Sequence, residues 1–163
     1  MGKRVAECGV LVALALIFSY VEVLIPIPFP VPGMKLGLAN LIVVCGLYFM
    51  KWQDVLTVSV LRIVLSGFLF GNMMSILYSL AGGMVSFLVM VLLKRAKGFS
   101  TAGVSALGGV GHNIGQLAAA LCFVKQLQVL VWLPALVVSG ILTGALIGLI
   151  AQRLFPALTK IRK

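Results

Sequence analysis

Arg62 stands near the middle of an otherwise apolar stretch, residues 55–70, and His112, Asn113 and Gln116 interrupt a second such stretch at a similar estimated depth. A guanidinium offers five donors in a fixed fork and does not shed its charge, which suits a carboxylate, a phosphate or a carbonyl-rich ligand. An arginine at bilayer depth costs about 2.5 to 3.5 kcal/mol on insertion scales, so it is a functional-site candidate by default. The spacing of four between His112 and Gln116 places both on one helix face, with Asn113 on the flank. Each has a structural alternative. Arg62 could instead tie down helix ends or main-chain carbonyls, and a lone histidine is more often a satisfied core residue. No acidic residue is evident at the depth of Arg62, which favours ligand contact. The glycines around His112, at 108, 109, 111 and 115, predict a weakened helix that is broken there or closely approached.

A second group of candidates lies at one end of these stretches. Prolines at 26, 28, 30 and 32 remove backbone donors and predict a stiff, extended outer segment. Lys35 follows it and Asn40 opens the next apolar run, so both are candidates for a lid over a pocket. Glu22, just before the prolines, reads as a structural partner of Lys35 or as part of the pocket mouth.

The elements that carry these groups are set by composition. The chain has 163 residues, 62% hydrophobic and 10% charged, with a mean hydropathy of +1.21. A soluble domain has an apolar share near half and a charged share near a quarter. The reading is an all-α integral membrane protein, a single domain over 1–163. Helices of about 20 residues, each crossing about 30 Å of hydrocarbon, allow roughly six passes. The expected spans are 5–25, 36–50, 55–70, 73–93, 101–124 and 129–154, with Asp54, Asn72 and Ser100 or Thr101 as helix caps. A cleaved signal is disfavoured, because the first run reaches Leu24 without a small-residue cleavage site.

The net charge of +10 reads as topology rather than nucleic-acid binding. Lys3, Arg4, Lys51, Lys94, Arg95, Lys97, Arg153, Lys160, Arg162 and Lys163 fall at alternate ends of the apolar runs, which places both termini in the cytoplasm. Gly9 and Ala13, Gly111 and Gly115, and Gly140, Gly144 and Gly148 recur every four residues. Such faces let helix backbones approach closely. They serve packing within the bundle, or, for Gly9 with Ala13, docking onto another membrane subunit.

Catalysis finds little support. Glu7, Glu22 and Asp54 are the three acids, too few for the Asp-rich clusters that hold magnesium diphosphate. No Ser/His/Asp or Cys/His arrangement and no P-loop is present. Cys8, Cys45 and Cys122 read as small buried hydrophobes rather than metal ligands. The expectation is therefore a non-enzyme with no cofactor and no metal.

The run Ile27-Pro28-Phe29-Pro30-Val31-Pro32-Gly33-Met34-Lys35-Leu36-Gly37-Leu38-Ala39-Asn40, with Leu61-Arg62, Leu80-Ala81-Gly82-Gly83 and Gly111-His112-Asn113-Ile114-Gly115-Gln116, resembles the Gx transporter family, also described as heptaprenyl diphosphate synthase component I. The resemblance spans nearly the whole chain. It implies a six-helix bundle similar to the substrate-binding S components of energy-coupling factor transporters. Such a component captures a vitamin-like solute and docks on a coupling protein and ATPases through small residues of its first helix. In this chain Gly9 and Ala13 depart from that family's usual alanine pair. The label also points to isoprenoid, quinone or flavin-related chemistry. The resulting expectation is a bacterial plasma-membrane subunit that binds a small organic solute through Arg62, His112, Asn113, Gln116, Lys35 and Asn40. The alternative is a non-catalytic accessory subunit of a prenyl diphosphate synthase or of a membrane redox assembly.

Overall fold

The computed structural model describes residues 2–25, 37–96, 98–125 and 127–161, so the proline-rich segment and Lys35 lie outside the described residues. Among the described residues every regular element is helical: α1 (Gly2–Leu24), α2 (Asn40–Phe49), α3 (Trp52–Phe70), α4 (Met73–Arg95), α5 (Thr101–Val124), a 3-10 segment (Leu127–Trp132) and α6 (Leu133–Ile161). α5 packs along both α4 and α6, α3 packs on α1 and α4, and α2 contacts α6, α3 and α1. Gly2–Leu24, Trp52–Phe70, Met73–Arg95 and the unit Leu127–Lys160 are long and apolar enough to cross a membrane. They carry exposed leucines such as Leu14, Leu88, Leu142 and Leu146. An apolar surface on this scale faces hydrocarbon, and the chain is a membrane protein.

Among the described residues six α-helices are present, and four units have clear span length and polarity where six spans are expected. α2 has 10 residues, about 15 Å at 1.5 Å per residue, half the thickness of a bilayer core. It is also buried all round, from Leu41 to Leu47, as befits a helix inside a bundle. α5 is long enough at 24 residues, but glycines and the His112-Asn113-Gln116 group dilute its apolar character.

The helix ends follow local chemistry, with corrections. Asn72 caps α4 in a reciprocal capping box with Ser75, and Ser100 accepts from the amide of Gly103 at 3.1 Å, both as the residue types predict. Replacing Asn72 with Ala is expected to cost about 1 kcal/mol of stability, read from thermal unfolding in detergent. Asp54 is no cap: Lys51 occupies that position without a side-chain bond, and Asp54 lies in the first turn of α3. α2 starts at Asn40 rather than at 36, and α6 runs on to Ile161 through Pro156. The glycine-rich centre of α5 is continuous, and of the two expected outcomes it shows close approach rather than a break. Its glycines are enclosed by neighbouring helices, and this packing offsets their poor helix propensity.

Two partitions of the bundle position the site. One half is a solid core, in which Val43, Val44 and Leu47 of α2 meet Val55, Met90, Val104, Ile147 and Ala151. The basic helix ends lie on that side, and there Lys94 of α4 donates to the carbonyl of Leu47 and sits over the Tyr48 ring, 5.2 Å from its centroid. The other half is looser and contains a cavity.

Candidate functional site

Close helix approach creates the walls of this cavity. A Cβ at Gly82 of α4 would stand 2.7 Å from the His112 carbonyl oxygen and 2.8 Å from Gln116 Cγ. A Cβ at Gly115 of α5 would stand 2.7 Å from the Ala81 carbonyl. These glycines let α4 and α5 touch backbone to backbone and bring His112 and Gln116 against α4. On the other flank of α5, Gly109 meets Gly140, and Gly144 and Gly148 lie against 101–106, fixing α6. The four-residue glycine spacings of α5 and α6 are thus internal packing faces. Gly9 is different: a Cβ there would meet nothing within 4 Å, and both Gly9 and Ala13 are exposed.

The cavity has a volume of about 100 Å³ and is lined from all six helices. Arg62, His112, Asn113, Gln116 and Asn40 all line it, so five of the six expected ligand-contacting residues come together. The sixth, Lys35, is outside the described residues. α3 and α5 each pack on α4, and the cavity connects Arg62 to His112 across that helix.

Arg62 is the unusual member. Its Nε is buried and has no hydrogen-bond partner. Asn113, by contrast, donates through Nδ2 to the Leu136 carbonyl at 2.7 Å and to Ser139 Oγ at 3.2 Å. Its amide nitrogen therefore ties α5 to α6, and only its carbonyl end is suited to a ligand. Substituting Asn113 with Leu is expected to lower stability by about 1 to 3 kcal/mol, since Leu136 O and Ser139 lose a buried donor. Thermal unfolding in detergent checks this.

Of the two sequence readings of Glu22, the structure favours a place in the pocket. The residue lines the cavity, its carboxylate accepts from the amide of Gly37, and its charge acts on Arg62. The expectation that no acid shares the depth of Arg62 is thus corrected, because Glu22 sits at the end of α1 that leans over α3. Ser19, Ser66, Ser79 and Thr143 were missed. The available signal was spacing: Ser19 and Glu22 are three apart on α1, and Arg62 and Ser66 four apart on α3, so each pair shares a face.

The family model of heptaprenyl diphosphate synthase component I matches residues 11–154. The chain belongs to that family. No curated protein and no solved structure gave a match. In this family member the matched region takes in every cavity-lining residue, Ser19 to Ile147.

The remaining candidate chemistry is sparse. Among the described residues no three His, Cys, Asp or Glu side chains converge as a metal site. Cys45 is buried, Cys8 half-buried and Cys122 exposed. The expectation of three buried cysteines holds at Cys45, holds in part at Cys8 and fails at Cys122, near the end of α5.

Proposed function

We propose that this chain is a non-catalytic, solute-binding membrane subunit of a small-molecule transporter, similar in arrangement to the S component of an energy-coupling factor system. The observation that supports it is that Arg62, whose buried Nε has no hydrogen-bond partner, lines a polar cavity built from all six helices. A fixed cation with an open donor in a low-dielectric interior is costly unless a ligand completes it. At about 100 Å³ the space is well above what a single water needs and has room for the polar head group of a solute. Glu22 opposite Arg62 favours a head group that carries donors as well as an acidic oxygen.

On this reading Arg62 binds the anionic end of the solute. His112, Gln116, Asn40 and the carbonyl end of Asn113 complete the polar lining, and Lys35, outside the described residues, is the sixth proposed contact. On this reading the bundle sits in the bacterial cell membrane with both termini cytoplasmic. Energy comes from a coupling protein and ATPases docked on the exposed Gly9 and Ala13 face.

The family description favours a second reading, an accessory membrane subunit of a heptaprenyl diphosphate synthase, with isoprenoid chemistry carried out by another component. Mass spectrometry of small molecules retained by detergent-purified protein tests the shared premise of a ligand. Co-purification separates the roles: coupling and ATPase subunits support transport, whereas a soluble prenyltransferase supports the accessory role.

A further inference from the structure

Away from the cavity, at the basic end of the bundle, the turn between α2 and α3 and the end of α4 enclose a second pocket. It has a volume of about 300 Å³ and is lined by Lys51, Gln53, Lys94 and Arg95 together with Trp52 and Val91. No acidic side chain lines it. An apolar groove of about 480 Å³ runs on from it between α3 and α4, lined by Leu56, Phe87, Leu88 and Leu92. Trp52, Val91 and Arg95 line both spaces, so the cationic pocket and the groove adjoin. Met84, Leu88 and Leu92 are exposed along the groove, which makes it accessible sideways from hydrocarbon.

We propose that these adjoining spaces together bind an anionic phospholipid of the surrounding bilayer, its phosphate at Lys51, Lys94 and Arg95 and one acyl chain along α3 and α4. Charge complementarity sets the head: three cations without a carboxylate attract a phosphate that bears net charge and discriminate against a zwitterionic lipid. Lys94 is already held by the Leu47 carbonyl and the Tyr48 ring, so it presents a preorganised ammonium. Lys51 and Arg95 flank it with exposed side chains. Trp52 lies where the polar and apolar halves meet, the usual place of tryptophan at a membrane boundary. A lipid bound here would join the α2–α3 turn to the end of α4, independently of whether the inner cavity takes a solute.

The test is native mass spectrometry of the full chain released from vesicles of mixed phosphatidylglycerol and phosphatidylcholine. Wild type is expected to retain phosphatidylglycerol selectively. Lys51→Ala with Arg95→Ala should weaken that retention roughly thirtyfold, two basic contacts at their usual contribution each. Lys51→Arg with Arg95→Lys should preserve it, and Val91→Trp, which fills the groove but keeps every charge, should reduce it. Arg153→Ala with Lys160→Ala removes two charges from α6 and should leave retention unchanged. Equal losses in the α6 variant would mean a diffuse field rather than a site, and retention of phosphatidylcholine to the same extent would also overturn the proposal. Preferential retention of added farnesyl diphosphate over phosphatidylglycerol would overturn it as well, by assigning the site to a prenyl diphosphate. Circular dichroism of each variant shows that the helices are kept.

Discussion

Replacement of Arg62 by Ala is expected to abolish solute retention while leaving the empty protein as stable as before, or more so. The two halves of this outcome have different causes. Loss of a buried charged contact to a ligand costs about 2 to 5 kcal/mol, at least thirtyfold in affinity. In the empty protein, however, the Arg62 Nε has no partner and only the charge of Glu22 offsets the burial of the guanidinium, so its removal relieves a desolvation cost that is repaid in part. Arg62→Met, which keeps the volume, is expected to show the stabilising half more clearly, by about 1 kcal/mol. Arg62→Lys keeps the charge without the fork and should lose affinity by roughly tenfold. Solutes bound to purified protein, measured by mass spectrometry, and thermal unfolding in detergent give the two readings. A large loss of stability in Arg62→Met would show that the guanidinium organises the bundle, and the binding reading would fall.

The second large effect concerns Gly140. A Cβ there would lie 2.8 Å from the carbonyl carbon of Gly109 and from the amide nitrogen of Val110. Both are main-chain atoms that cannot rotate away, so α5 and α6 must separate. Gly140→Val is expected to destabilise by about 3 kcal/mol or more, at the upper end of overpacking costs. It should also weaken solute retention, because His112 on α5 and Thr143 on α6 line the same cavity. Gly9→Ala is the matched control. Nothing lies within 4 Å of its Cβ position, so better helix propensity should stabilise by up to about 1 kcal/mol. If Gly140→Val and Gly9→Ala unfold alike, the close α5–α6 contact is wrong.

Much of the fold is legible along the chain because its determinants are local. Asn72 before an apolar run marks a helix start whatever surrounds it, and Ser100 does the same. Apolar run length marks the bilayer-scale helices. The intramembrane polar residues are equally visible, since Arg62, His112, Asn113 and Gln116 stand out against hydrocarbon-like neighbours. α2 is where local reasoning loses its grip. Its apolar residues look like a short span, yet the ten-residue helix is enclosed by the others, and an apolar run reads alike facing lipid or facing protein.

Composition and residue order by themselves determined that the chain is a helical membrane protein, where most helices end and which polar groups are set inside it. Only the tertiary structure decided how those groups pair: Glu22 with the Gly37 amide and near Arg62, Asn113 spent on α6, the α5 glycines divided between α4 and α6, and Gly9 left uncovered. The reason is rotational. A helix that is apolar around its whole circumference has no preferred face, so which side chains meet across the bundle is settled by where glycine and small residues let backbones touch.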